Sequence, residues 1–455
     1  MKNPQRTPSW RQSLCIMLAF SCSASAAPTF TVDSMADSVD DNPGDGVCHT
    51  VAGTCTLRAA VMEANRASGI GATIDLPAGT YMLQIPATAS DDESSGDLNF
   101  ATPVNGNPLI TINGAGAATT IIDANQIDRV MQVEASRSAR LHGIALRDGY
   151  SPDGGGALVN NGVLALDQVD VVQNTTENNG GAIYNVGQMT LDRVHIGPLN
   201  HATLAGGGIF NIGTLALTDS SVFANQGSAG GGLGNAGSAT IKRSTFSFNR
   251  AEEYGGGIRS SGVLEIVDST IASNRAQISG GGINAFVNGS FLYAYNSTIA
   301  GNSAYADDGT DGTGGGIHVD AGSVNLKNSL VVGNYYNGFQ GDLEDCHTSG
   351  GAVLHVFSTN LFTAAGACAV DTSAGSWSLL NSLDFIGPLK DNGGPTQTVA
   401  LRSGSNAVDA GITCSDSGGN PIPTDQRGFS RVIGSACDVG AYEFDHDRIF
   451  ANGFD

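Results

Sequence analysis

The sequence has 455 residues, of which 63 are glycine, and only 14% of its residues carry a charge. Its formal net charge of −22 argues against a protein that binds nucleic acid or an anionic lipid surface by charge attraction. The length is sufficient for one large core or for two domains. The low charge content suits a fold in which many polar residues stack on one another.

The first 26 residues have the pattern of a secretory signal. Three basic residues precede a short apolar stretch at residues 14–20, and Ala24-Ser25-Ala26 forms an A-x-A cleavage site. The apolar stretch is too short to cross a membrane as a helix, and no later stretch qualifies. The pattern predicts an exported chain that is cleaved after residue 26. A lipid attached to Cys22 is the alternative, which Phe20 disfavours.

Six cysteines follow the signal segment and fall into three local pairs. An even number of cysteines in an exported chain favours disulfides, and local pairing is the simplest arrangement. No C-x-x-C motif is present, so a zinc site is not indicated. The expected pairs are Cys48 with Cys55, Cys346 with Cys368, and Cys414 with Cys437.

Residues 27–66 end in a stretch with helical periodicity. Leu57, Ala60, Val61 and Ala64 are spaced so that they share one face of an α-helix. A single amphipathic helix ahead of a repeat array is typical of a cap, which covers the open end of the first coil.

Seven similar units occupy residues 154–334. Each opens with a glycine pair and an apolar residue, continues as a short strand of alternating apolar and polar residues, and ends in asparagine. A period near 25 residues without a helical pattern predicts a β-solenoid, whose units bury a core only by stacking. The apolar residues are Leu158, Ile183, Ile209, Leu233, Ile258, Ile283 and Ile317, and the asparagines are Asn174, Asn200, Asn225, Asn249, Asn274, Asn302 and Asn334.

The asparagines recur at one place in the unit, so we expect their amides to form a hydrogen-bonded ladder from coil to coil. The glycines mark positions where the backbone needs a positive φ. Separate β-hairpins or a disordered tract are the alternatives, and disorder is disfavoured because Val, Leu and Ile recur in register. The predicted solenoid covers residues 67–385 and includes coils without a glycine pair at about residues 109–149.

The N-terminal region carries a family resemblance. Residues 55–60, Cys-Thr-Leu-Arg-Ala-Ala, resemble the CSLREA motif of bacterial exported β-helix proteins, and residues 74–81 are similar to the strand that follows the motif in that family. Thr56 stands where the motif has serine, and Ala59 stands where it has glutamate. The missing glutamate removes any ion pair that such a residue would make with Arg58. The sequence pattern of the repeats, as in residues 246–249, is also similar to that of polymorphic outer-membrane protein repeats.

The C-terminal region carries a second resemblance. Residues 387–396, 404–411, 424–428 and 437–443 resemble, in that order, the choice-of-anchor Q domain that ends many such proteins. The two resemblances imply an all-β, right-handed parallel β-helix of the pectin-lyase-like class, secreted or at the outer-membrane surface of a Gram-negative bacterium. They imply a C-terminal region at residues 386–443. The tail, residues 444–455, is similar to short C-terminal sequences of exported gammaproteobacterial proteins.

No strong catalytic motif is present. G-x-S-x-G, H-E-x-x-H and Walker patterns are absent, and the eight histidines lack metal-ligand spacing. Phe291, Tyr293 and Tyr295 alternate on one predicted outer face, where they are candidate carbohydrate-binding residues, since an aromatic ring offers an apolar face and tyrosine adds a polar tip. The alternative is that the insertion at residues 303–313 folds over them and makes a small core.

Two acidic stretches are candidates for calcium, whereas no other metal or cofactor is expected. Calcium requires several converging oxygens, and neither stretch has the full spacing of a calcium loop, so solvated acidic turns are favoured. The residues concerned are Asp307, Asp308 and Asp311 in the insertion, and Asp41 and Asp45 near the N-terminus.

The favoured function is a non-enzymatic, exported, adhesin-like protein that binds a polysaccharide or a surface protein along the solenoid flank. The alternative is a polysaccharide lyase or glycoside hydrolase on the same fold, with a purely structural envelope component as a third hypothesis. Coil stacking would bring acidic and basic residues together, as the active site of such an enzyme requires. The favoured interpretation is that these charged residues lie on the solvated outer face. These residues are Glu265, Asp268, Lys242, Arg243 and Lys327. The oligomeric state is not indicated.

Overall fold

The structure is a computed structural model that describes residues 26–67, 69–89, 92–103, 106–286, 291–305, 312–337 and 342–445. Almost all of its regular structure is β-strand, and the strands of successive coils pair in parallel. The predicted parallel β-solenoid with one short helix near its N-terminal end is therefore confirmed.

The elements have the following bounds in chain order. Those that precede the repeats are β1 (Thr29–Thr31), α1 (Leu57–Arg66), β2 (Ala72–Leu76), β3 (Gly79–Met82), β4 (Leu98–Phe100), β5 (Leu109–Gly114), β6 (Thr120–Asp123), β7 (Met131–Val133), β8 (Ser138–His142), β9 (Ala145–Arg147) and β10 (Tyr150–Ser151). Those of the repeats are β11 (Leu158–Asn160), β12 (Val163–Asp167), β13 (Asp170–Val172), β14 (Thr175–Thr176), β15 (Ile183–Asn185), β16 (Gln188–Asp192), β17 (His195–Ile196), β18 (His201–Ala202), β19 (Ile209–Asn211), β20 (Thr214–Thr218), β21 (Ser221–Phe223), β22 (Gln226–Ala229), β23 (Leu233–Asn235), β24 (Ser238–Lys242), β25 (Thr245–Ser247), β26 (Arg250–Tyr254), β27 (Ile258–Ser260), β28 (Val263–Val267), β29 (Thr270–Ala272), β30 (Arg275–Ala276), β31 (Ile283–Ala285), β32 (Phe291–Tyr295), β33 (Thr298–Ala300), β34 (Ser303–Ala304), β35 (Ile317–Val319), β36 (Ser323–Lys327), β37 (Leu330–Val332) and β38 (Tyr335–Tyr336). Those that follow are β39 (Cys346–Thr348), β40 (Val353–Phe362), β41 (Val370–Leu379), the 3₁₀ turn Leu383–Phe385, β42 (Ile386–Lys390) and β43 (Thr398–Leu401).

Each repeat contributes strands to three parallel sheets. In the first unit β11 joins a ten-stranded sheet, β12 and β13 join a 23-stranded sheet, and β14 joins an eight-stranded sheet. The units stack in register, so that Leu158, Ile183 and Ile209 lie directly above one another. All seven opening apolar residues of the repeats are fully buried. The core is therefore a continuous apolar column, as the repeat pattern predicts.

The asparagine ladder is confirmed. The Asn174 amide donates to Asn200 Oδ1 over 3.0 Å, and the same bond repeats through each unit as far as Asn334, which donates to Asp345 Oδ1 over 2.9 Å. A second ladder, which we did not predict, runs along the ten-stranded sheet. Its members are Asn160, Asn185, Asn211, Asn235 and Ser260.

The glycine pairs adopt the expected backbone. Gly230, for example, has φ of 65°, and a Cβ on it would lie 2.3 Å from the carbonyl oxygen of Leu233. No side chain fits that space, so glycine is required there. The bend between the two strands of a unit that join the 23-stranded sheet also has positive φ but holds non-glycine residues, such as Arg243 and Asp268 at 47° and 46°. Glycine alone therefore did not reveal this bend.

Helix α1 covers the first coils, against β2 and β4. Its four predicted face residues are buried, and the Thr56 hydroxyl caps the helix by accepting from the Ala59 N–H. Arg58 is also buried and pairs with Asp37 over 2.6 Å. The charge of Arg58 is thus balanced by a residue outside the motif, although Ala59 offers no carboxylate.

Residues 386–445, here called the C-terminal segment, fold back along the flank of the solenoid. They pack apolar side chains on the second strand of several units of the 23-stranded sheet. Gln426 is fully buried between the two parts: its amide donates to the Thr245 hydroxyl over 2.9 Å, and its Oε1 accepts from the Thr270 hydroxyl over 2.6 Å. The apolar contacts include Ala272, Ala300, Val332, Val399, Leu401, Val439 and Phe444.

Candidate functional site

The predicted aromatic residues lie on the outer face of β32, and Phe291, Tyr293 and Tyr295 are called the aromatic strip below. The Phe291 and Tyr293 rings stack with centroids 6.3 Å apart, and those of Tyr293 and Tyr295 are 5.9 Å apart. Phe291 is 47% exposed, whereas Tyr295 is 7% exposed. The strip therefore runs from an open ring at one end to a covered ring at the other.

The cover over Tyr295 involves the C-terminal segment. Its loop at residues 412–420 reaches the strip, where the Ser417 hydroxyl donates to the Glu265 carboxylate and Lys327 Nζ donates to the Ser415 hydroxyl. The insertion at residues 303–313 is the alternative cover that the sequence suggests, and its residues 306–311 lie outside the described residues.

A cleft of about 620 Å³ opens between Tyr295, at the covered end of the strip, the last coils and this loop. It is called the aromatic cleft. Its lining combines apolar surface with a cation and a carboxylate, which is the composition of a site that fixes the orientation of a bound molecule. The residues that matter here are Tyr295, Lys327, Phe357, Ile412, Asp416 and Ser417.

The charged groups of the cleft have shifted pKa values with identifiable causes. Burial raises the pKa of Tyr295 to about 12, so its hydroxyl stays protonated and available as a donor. Burial lowers the pKa of Lys327, whose Nζ lies 6.0 Å from the centre of the Tyr295 ring. Hydrogen bonds from Asn420 hold the pKa of Asp416 below its usual value. Asp416 is therefore a carboxylate at neutral pH.

The charged residues proposed for an enzyme do not converge. Glu265 bonds Ser417, and Arg243 pairs with Asp219 over 2.7 Å. We expected Asp268 to be solvated, and this was wrong: it is 4% exposed beneath the C-terminal segment, 3.7 Å from Arg431, and burial raises its pKa to about 7. The reason is the fold-back of the C-terminal segment, which no local pattern predicts.

The acidic turn near the N-terminus is held by its own neighbours. Asp41 pairs with His49 over 2.8 Å, and Asp45 accepts from the Asn42 amide over 3.0 Å. Within the described ranges, no group of three or more His, Cys, Asp or Glu is placed to hold a metal ion. The other calcium candidates, Asp307, Asp308 and Asp311, lie outside the described residues.

The three local disulfides are confirmed. Cys48 is bonded to Cys55, and the other bonds join the remaining local pairs, Cys346 with Cys368 and Cys414 with Cys437. One of them ties the loop of the aromatic cleft to the body of the C-terminal segment. In the part of the chain that the structure describes, no helix is both long and apolar enough to cross a membrane.

Sequence reasoning found the aromatic strip but missed the residues opposite it. Lys327 was noted only as one charge among several, and Phe357, Ile412 and Asp416 were not singled out. Ser415 and Lys327 are 88 positions apart in the chain, and repeat periodicity gives no information about contacts with a segment that lies outside the repeats. Lys327 and Tyr295 do share a register position on neighbouring coils, and that spacing is visible in the sequence.

Comparisons with known proteins assign no family to this chain. No family model matches the sequence, and no curated protein matches it. Among solved structures, the chain is similar to pectate lyase Pel9A at 14% sequence identity and a TM-score of 0.39, over 92% of this chain and 97% of that one.

Proposed function

We propose that this protein is an exported β-solenoid that binds a glycan at the aromatic cleft. The observation that carries the proposal is the aromatic strip, in which three neighbouring rings on alternate positions of one strand end at Tyr295, which lines the cleft. Sugar rings present flat C–H faces that suit stacking on aromatic rings, and hydroxyl groups that suit polar tips. Lys327, Asp416 and Ser417 supply donors and acceptors at the inner end.

Export is supported by the signal pattern at the N-terminus and by three disulfides, which persist in oxidising compartments. We propose attachment at a Gram-negative cell surface, with the CSLREA-like cap at residues 27–66 and a choice-of-anchor Q-like region at residues 386–443. The partner is then a polysaccharide, free or displayed on another cell.

Glycosidase chemistry is not supported at this cleft. Glycosidases use a pair of carboxyl groups that flank the scissile bond. Asp416 is tied to its own loop by hydrogen bonds from Gly418 and Asn420, and Glu265 bonds Ser417 at the rim. Among the described residues that line the cleft, Asp416 is the single carboxylate. Binding is the function that this set of groups supports best.

The test is glycan-array binding by residues 27–455, followed by titration of the best oligosaccharide. Tyr293→Ala is the informative variant because Tyr293 is half-exposed, whereas Tyr295 belongs to the packed surface. Loss of one stacking ring is expected to raise the Kd about tenfold, which corresponds to about 1.4 kcal/mol.

The matched control is Tyr150→Ala, a half-exposed tyrosine on another sheet, which should bind as the wild type does. An equal loss of affinity in both variants, or binding of the wild type to no glycan, would contradict the proposal. Mass spectrometry of the bound oligosaccharide checks in the same experiment that it stays uncut.

A further inference from the structure

A second groove lies on the flank of the solenoid, where residues 391–397 of the C-terminal segment meet the coils. It has a volume of about 640 Å³ and lies between β13, β17, β21 and β25 and residues 391–397. It is called the histidine groove. Its lining includes Asp170, His195, Ser221, Phe223, Phe248 and Pro395.

Three of these residues occupy one register position on consecutive coils. Asp170 pairs with His195, and His195 pairs with Ser221, in the parallel ladder of β13, β17 and β21. Neighbouring strands are about 4.8 Å apart, so the three side chains form a column on the outer face. The residues that follow them, Val171, Ile196 and Val222, point into the core and are fully buried.

The Asp170–His195 contact fixes the state of the imidazole. Nδ1 of His195 lies 2.9 Å from Oδ1 of Asp170. An ionised carboxylate only accepts, so Nδ1 carries the proton and Nε2 is left with a lone pair. The same hydrogen bond and the charge of Asp170 raise the pKa of His195, although burial opposes them. An imidazole oriented in this way can act as a general base through Nε2.

Ser221 is the next residue in the column. Its hydroxyl has no hydrogen-bond partner within the described ranges, and it forms none with Nε2 of His195 in this structure. One coil separates the two side chains, and catalytic hydrogen bonds of this type are often long without substrate. A nucleophilic role for Ser221 requires a serine rotamer that places Oγ within hydrogen-bond distance of Nε2.

The groove also provides an apolar pocket beside the column. Phe248 is 56% exposed although it is aromatic, and its φ of 55° is unusual for a bulky residue. Phe223, Val172 and Pro198 border the same space. The same positive φ occurs at Gln173, Ala224 and Ser273, which also precede ladder asparagines, so it belongs to the repeat. What distinguishes this position is the exposed ring of Phe248, which gives the groove an apolar surface.

We propose that Ser221, His195 and Asp170 form a hydrolytic site for carboxylic esters with a short apolar acyl group. Ser221 is the nucleophile, His195 is the general base and acid, and Asp170 is the positioning residue. The site is distinct from the aromatic cleft and does not depend on glycan binding there.

The reaction follows from these roles. Ser221 Oγ bonds to the ester carbonyl carbon while its proton moves to Nε2 of His195. The C–O bond to the alcohol then breaks, and His195 returns the proton to the departing oxygen. Water, deprotonated by His195, attacks the acyl-serine, which releases the carboxylic acid and restores the Ser221 hydroxyl. Water is the only co-reactant.

The test uses residues 27–455, a fluorophosphonate probe and p-nitrophenyl acetate. A single adduct on Ser221 by peptide mapping is expected, together with ester hydrolysis that falls at least about a hundredfold in Ser221→Ala and in His195→Ala. Ser238→Ala, an exposed serine on β24, is the matched control and should retain both properties. No adduct on Ser221, or hydrolysis unchanged in Ser221→Ala, would overturn the proposal.

The Asp170→Asn variant distinguishes a residue that positions His195 from a residue that only stabilises the fold. Its maximal rate should fall, and the rise of rate with pH should move to lower pH, because His195 loses the partner that raises its pKa. The other charged groups that line the space around His195 are Arg193, Asp219 and Asp391, and they are unchanged in this variant. A fall in rate without that movement would assign Asp170 a structural role only. Glycan binding should be normal in all of these variants, so failure here is distinguishable from failure of the proposed function.

Discussion

Replacement of Asn249 with alanine is expected to destabilise the protein by about 3 kcal/mol. Asn249 Oδ1 accepts from the backbone N–H and the side-chain amide of Asn225, and its own amide donates to Val222 O and to Asn274 Oδ1. The change leaves the backbone N–H of Asn225 and one of its amide hydrogens without an acceptor inside the core. Unpartnered buried donors are costly because water cannot reach them.

The measurement is the midpoint of urea unfolding, followed by circular dichroism. The matched control is Asn161→Ala, since Asn161 is half-exposed and lies outside both ladders; it is expected to change stability by less than about 0.5 kcal/mol. Equal midpoints for the two variants would show that the ladder contributes nothing specific.

Replacement of Glu443 with glutamine is expected to make the stability of the protein less dependent on pH. Glu443 is 1% exposed and accepts from the Asp438 N–H over 3.0 Å. Burial and the neighbouring Asp438 carboxylate raise its pKa to about 8. An acid whose pKa is raised by folding stabilises the folded state at low pH, and this contribution is lost as pH rises through 8.

The Glu443 carboxyl group should therefore lower the free energy of unfolding of the wild type by about 2 kcal/mol between pH 6 and pH 9, once screening by solvent is taken into account. This contribution should be absent from Glu443→Gln. Part of the slope should remain, because burial also raises the pKa values of Asp268 and Asp438. Thermal unfolding at both pH values is the measurement, and Glu253→Gln, at an exposed site, is the control. If the stability of Glu443→Gln depends on pH as strongly as that of the wild type, Glu443 does not contribute to this dependence.

Features that repeat with the coil could be predicted from the sequence. Leu158, Ile183 and their equivalents predict the core, and the asparagines after each strand predict a ladder. Both predictions are possible because every coil must bury an apolar side chain and pair its polar groups at the same positions, and the same residue types recur there. The local disulfides followed from short spacing between cysteines. The second ladder, at Asn160 and its equivalents, has the same period and was equally visible.

Contacts between the repeats and the C-terminal segment could not be predicted in this way. The burial of Asp268 and the contact between Lys327 and Ser415 depend on a segment that returns to the flank after many intervening residues. The column of Asp170, His195 and Ser221 is a different case. Its spacings of 25 and 26 residues equal the coil lengths at that point, so the sequence alone predicts that these three residues stack on one another. Local motifs do not reveal the column, because its members are one coil apart in the sequence.

The most direct test of the proposed function is a crystal structure of residues 27–455 with the oligosaccharide that binds best on the array. The structure should show sugar rings in van der Waals contact with Phe291 and Tyr293, and a sugar hydroxyl or carboxylate within hydrogen-bond distance of Lys327 Nζ. A sugar bound elsewhere on the solenoid, with the aromatic cleft empty, would contradict the assignment of this cleft as the glycan site.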